Sequence, residues 1–118
     1  MSQSWGARPL YEVKAGLFRG LSHPFRIRIL ELLADGDEHS VAELQGATEL
    51  EASHLSQHLA VLRRHRLVVS ERRASHVYYR LVSPAAAELL AEARALLAEF
   101  ASADAARAGD VATLPELP

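Results

Sequence analysis

Apolar positions recur at helical spacing over most of the chain and switch to strand-like alternation once, near its middle. Leu10, Val13, Leu17, Phe18 and Leu21 give a first amphipathic helix ending at about Leu21. Ser22-His23-Pro24 is a start signal for a second: Ser22 or His23 can cap, and Pro24 suits the first turn, where its missing N–H has no helical partner to lose. Phe25, Ile27, Ile29, Leu30, Leu32 and Leu33 are dense enough to make that helix central to the core, and Asp35-Gly36-Asp37 ends it. Ser40 with Glu43 three residues on forms a capping-box pattern, which opens a short third helix expected to break near Gly46.

The stretch from Glu51 to Arg66, EASHLSQHLAVLRRHR, carries two faces on one helix. Leu55, Leu59 and Leu62 point to a core, while Ser53, His54, Ser56, Gln57 and His58 fall mostly off that stripe. Arg63, Arg64 and Arg66 crowd the last turn, where cations suit both the helix dipole and phosphates. A polar front that can meet base edges and a basic exit are what a recognition helix in a DNA major groove requires. After Leu67 the period becomes that of strands: Val68 to Arg72 and His76 to Val82 alternate around Arg73-Ala74-Ser75, a basic β-hairpin placed as a wing. Alternation puts one of Tyr78 and Tyr79 in the core and the other on the surface. Ser83-Pro84 starts a last helix with the stripe Leu89, Leu90, Ala93, Leu96, Leu97 and Phe100, which suits packing against the first helix (Leu10, Leu17, Phe18) and a second subunit.

The fold class that follows is mainly α with a β-hairpin wing, a winged helix-turn-helix in the order α-α-α-α(recognition)-β-β-α. One domain is expected over residues 10–103, between a flexible tail at 1–9 and a frayed tail at 104–118. Composition changes this picture little: 49% apolar and 24% charged residues are an ordinary balance, and no apolar run approaches the roughly 20 residues of a membrane helix. The first residues lack the apolar core of a signal peptide, so a cytoplasmic protein with no membrane partner is expected. The net charge of −2 does not argue against DNA, because six arginines lie between Arg63 and Arg80 against the single acid Glu71.

The segments LSHPFRIRILELL, LSQHLAVLRRHRLV and the hairpin ending VYYRL, in that order, resemble the ArsR/SmtB family of winged-helix repressors. The resemblance spans roughly Leu10 to Phe100 and implies a homodimer built from the first and last helices, with two recognition helices in successive major grooves of a palindromic double-stranded DNA operator. By position it assigns DNA contacts to Ser53, His54, Ser56, Gln57 and His58, and to Arg72 and Arg73 in the wing. Arg63 and Arg64 join them as cations, Ser40 can hold a phosphate from a helix N-terminus, and the Gln57 amide can pair bidentately with adenine. The family usually has glycine where Glu49 stands, near Arg66 and near Ala74, and any other residue is costly to place at φ > 0.

Family metal sites use cysteine in the third helix or Asp/His/Glu ligands on the last. This chain has no cysteine and no histidine in its last helix, so neither site carries over. His54 and His58 stand four apart, but without a third ligand nearby in sequence they are read as DNA-facing, and no metal or cofactor is expected. No nucleophile elbow, glycine-rich phosphate loop or paired carboxylates appear, so no enzymatic activity is expected. The alternative reading is a dimeric protein-interaction module on the same scaffold, with DNA binding lost. The sequence names no small-molecule effector.

Overall fold

The computed structural model describes residues 7–113. Most of the expected N-terminal tail and the last five residues lie outside them. By contact the chain divides into two compact units, one up to Ala87 and one from Glu88 onward.

In the first unit, α1 (Leu10–Leu21) is followed directly by α2 (Pro24–Leu32). The junction is tied by Arg26, which donates from Nε to the Gly20 carbonyl at 2.7 Å and from a terminal nitrogen to the Arg19 carbonyl at 3.1 Å. A cation thus caps the last α1 turn, where the helix dipole is negative, and shares the Arg19 carbonyl with the Ser22 N–H. His23 is the N-cap of α2, its Nδ1 accepting the Phe25 N–H, and Pro24 occupies the first turn. Ile29, Leu30 and Leu33 are almost completely buried, as the apolar density of this helix demands.

Gly36, at φ 85°, turns the chain into β1 (His39–Ser40), a two-residue strand that the sequence pattern does not announce. Then α3 (Val41–Thr48) opens on the expected capping box: the Ser40 hydroxyl accepts the Glu43 N–H at 3.0 Å, and the Ser40 N–H donates to the Glu43 carboxylate at 3.2 Å. The expected break at Gly46 does not occur. A lone interior glycine weakens a helix by about 1 kcal/mol without ending it. The helix ends instead at Glu49, whose left-handed backbone (φ 59°) lets its N–H reach the Gln45 carbonyl at 2.8 Å.

Next, α4 (Ala52–Arg64) buries Leu55, Leu59 and Leu62. The strands β2 (Val68–Arg73) and β3 (His76–Leu81) form the wing, pairing antiparallel with Ser70 opposite Tyr79 and Arg73 opposite His76. β1 adds to the other edge of β3, giving the sheet order β1-β3-β2. Val68, Tyr79 and Leu81 point to the core. The three positions where glycine is usual all take positive φ here without glycine: Glu49 at 59°, Arg66 at 61° and Ala74 at 55°.

The helix α5 (Pro84–Thr113) starts where Ser83 accepts the Ala85 N–H and continues past the boundary expected at 103. In the second unit Leu96, Leu97 and Phe100 are exposed.

Candidate DNA-binding surface

The recognition helix is oriented by its apolar stripe. With Leu55, Leu59 and Leu62 held in the core, Ser53, Ser56 and Gln57 occupy i, i+3 and i+4 positions on the outer face, and His54 is exposed beside them. These four side chains form a polar surface over the first half of α4. Two basic groups close its far end: Arg64 is exposed, and Arg63 donates to the Ser70 hydroxyl at 3.2 Å, linking the helix exit to β2. A groove of about 360 Å³ lined by Ser56, Ala60, Arg63, Arg64 and Tyr79 runs between the helix front and the sheet.

His58 is not part of that surface. It lies three residues after Leu55 and four before Leu62, and its half-buried ring packs against His23 at 4.3 Å and Phe25 at 6.1 Å between centroids. Burial, and then the charges of His23, Arg26 and His54, lower its pKa. The structure thus places His58, expected to face DNA, beside α2 and away from the row of Ser53, His54, Ser56 and Gln57. The histidine instead ties the front of α4 to the start of α2.

The two wing arginines also part company. Adjacent strand residues face opposite sides, so Arg72 shares the face of Ser70 and Tyr79, the side on which α4 lies. It makes no side-chain hydrogen bond or ion pair among the described residues. Arg73 lies on the reverse face and is fully engaged. Its two terminal nitrogens reach the two Glu38 carboxylate oxygens at 3.0 and 2.9 Å, one of them lies 3.5 Å from Glu71, and the guanidinium sits 4.0 Å from the Tyr78 ring centroid. The expectation of a phosphate-facing Arg73 therefore meets a side chain already held by two carboxylates.

Ser40, at the α3 N-terminus, uses its hydroxyl oxygen as the cap but keeps its proton to donate. One residue before it, His39 bridges two carboxylates: Nε2 stands 2.8 Å from Asp35 and Nδ1 3.1 Å from Glu43. Burial disfavours the imidazolium, yet the hydrogen bonds and charges of Asp35 and Glu43 outweigh it and raise the pKa. Among the described residues no group of three His, Cys, Asp or Glu side chains is placed to hold a metal ion.

Residues 23–70, from the α2 cap through α3 and α4 into the wing, match the model of the arsR family of bacterial regulatory proteins. The HTH-type transcriptional regulator Rv0081 of Mycobacterium tuberculosis is 48% identical over 97 residues, covering 81% of this chain and 84% of that protein. The chain belongs to the ArsR family. Its structural relatives agree. The crystal structure of Rv0081 superposes with a TM-score of 0.75 at 46% identity, covering 83% of this chain and 98% of that one. The transcriptional repressor BigR from Xylella fastidiosa gives a TM-score of 0.67 at 33% identity, over 81% and 96% of the two chains. A homodimeric winged helix-turn-helix DNA-binding domain from Mycobacterium bovis gives 0.70 at 29% identity, over 85% and 90%. This ArsR-family chain is a winged helix-turn-helix transcriptional regulator. None of its described helices is long and apolar enough to cross a membrane.

Proposed function

We propose that the chain is a homodimeric, cytoplasmic repressor that holds a palindromic operator, with one α4 in each of two successive major grooves. The observation that carries this reading is the split of α4 into a buried leucine stripe and an outer row of Ser53, His54, Ser56 and Gln57 ending at Arg63 and Arg64. Gln57 reads a base edge, its exposed amide offering a donor and an acceptor side by side, and the three flanking side chains contact neighbouring bases and phosphates. Arg63, Arg64 and Arg72 supply sequence-independent attraction, and the Ser40 hydroxyl donates to a phosphate.

The dimer is built from α1 and α5 of both copies. Leu10 (66% exposed) and Phe18 (54%) with Leu17 in the first unit, and Leu97 (62%), Phe100 (53%) and Leu96 with Leu89, Leu90 and Ala93 in the second, are the apolar surfaces that require cover. The functional domain is residues 10–103, it uses no cofactor, and repression follows from occupying the operator.

Footprinting on the chain's own upstream DNA, with the mass of the complex measured in parallel, tests this. The expected result is protection of two half-sites about one helical turn apart by two copies of the chain. Protection of a single half-site by one copy would contradict it.

A further inference from the structure

The wing carries a cation that it does not present. Arg73 stands at the end of β2, next to the hairpin turn, where a long basic side chain is well placed to meet the DNA backbone. Glu38, 35 residues earlier, takes the guanidinium in a two-pronged pair of 2.9 and 3.0 Å. This fork geometry is the one by which arginine binds a phosphate. Tyr78 lies under the guanidinium and Glu71 flanks it, so the side chain is fixed on the reverse face of the wing from Arg72.

Glu38 is itself fixed. It lies just before β1, in a turn closed on one side by the Asp35–His39–Glu43 cluster and on the other by β1 pairing with β3. Arg80 is the other charged group whose field reaches it. Neither Glu38 nor Arg73 is deeply buried: their side chains are 34% and 46% exposed. An ion pair this exposed is worth little to stability. Removing either partner should therefore leave the fold intact.

We propose that Glu38 is an affinity-setting residue: its carboxylate stands in for a DNA phosphate on Arg73 and holds one wing contact in reserve. The proposal rests on DNA binding through α4 and the wing. It adds a carboxylate outside that surface that lowers affinity and salt sensitivity by withholding one cation. Glu38 does not touch DNA; it acts through Arg73.

The test uses four full-length proteins: the natural chain, Glu38→Gln, Arg73→Ala and the double variant. Each is titrated against one random-sequence duplex over a range of salt concentrations, with thermal melting as a check on folding. Glu38→Gln is expected to bind more tightly and to steepen the log–log salt slope by about 0.9, the share of one added phosphate contact. Its advantage over the natural chain should therefore grow about 3.5-fold as salt falls from about 200 to about 50 mM. Arg73→Ala is expected to leave the slope close to that of the natural chain, and to abolish the gain when combined with Glu38→Gln. A gain that survives in the double variant would mean that Glu38 acts only as a repelling charge, and would overturn the proposal. An unchanged slope in Glu38→Gln would overturn it while leaving DNA binding intact. Absence of salt-sensitive binding by all four proteins would remove both.

Discussion

The His65 ring lies against the Cα of Gly20, so close that a β-carbon added there would stand 2.7 Å from the ring Cγ. This contact joins α1 to the exit of the recognition helix. The α1 helix is otherwise permissive: a β-carbon on Gly16 would meet only the end of the Arg19 side chain, at 3.5 Å. Helix propensity alone favours alanine over glycine by about 1 kcal/mol at either site. At Gly16 that gain should be realised. At Gly20 the clash reverses it, because forced repacking costs about 1–3 kcal/mol. Gly16→Ala is expected to raise the melting temperature and Gly20→Ala to lower it; the same sign for both would refute this packing.

The left-handed residues make a second pair of substitutions informative. A side chain costs roughly 1–2 kcal/mol at such a position, whereas glycine adds about 0.4–1 kcal/mol of unfolded-state entropy. Ala74→Gly and Glu49→Gly should therefore each stabilise the fold, by about 0.5–1 kcal/mol net in chemical denaturation. A loss of stability in both would show that these turns are not strained.

The His39 bridge gives a pH dependence. Its folded pKa is raised, so its contribution is complete below the unfolded value of about 6.5 and is lost as pH rises through the folded value. Asp35, through the Asp37 N–H and then His39, and Glu43, through the Ser40 N–H and then His39, titrate below their ordinary values. Their contributions are present above the ordinary carboxylate range and are lost as pH falls. All three act together between about pH 5 and about pH 6.5. The stability advantage of the natural chain over His39→Gln should shrink as pH rises from about 6 to about 8.5. An advantage constant over that range would contradict the bridge.

Much of this was legible because it is local. The capping box of Ser40 and Glu43 lies within one turn, and the three turn positions are marked by residues standing where the family pattern has glycine. The leucine stripe fixes which face of α4 is outward. The same stripe places His58, at +3 from Leu55 and −4 from Leu62, on the flank of the buried face. Alternation along β2 likewise separates Arg72 from Arg73 once Tyr79 is placed inside. The Glu38–Arg73 pair and the Arg26 cap on α1 join residues distant in sequence or on different helices, and no periodicity encodes them. The two residues of β1 are too few to show an alternation of their own.

The proposed roles of base reading and phosphate attraction should be separable by substitution. Gln57→Ala is expected to bind scrambled DNA as the natural chain does but to lose about 1–3 kcal/mol of preference for its operator. Arg72→Ala is expected to weaken all DNA alike and to reduce the salt slope by about 0.9. The reverse pattern would exchange the roles of helix and wing.

The central claim is sequence-specific DNA binding, and fluorescence-anisotropy titration tests it most directly. The natural chain is titrated against its own upstream DNA and a scrambled duplex at two salt concentrations. Tighter binding to the upstream DNA, weakened by salt, is the expected result. Equal and weak binding to both, by a protein whose mass is measured as that of the proposed dimer, would contradict it as an autoregulatory repressor and favour a protein-interaction role for the same scaffold.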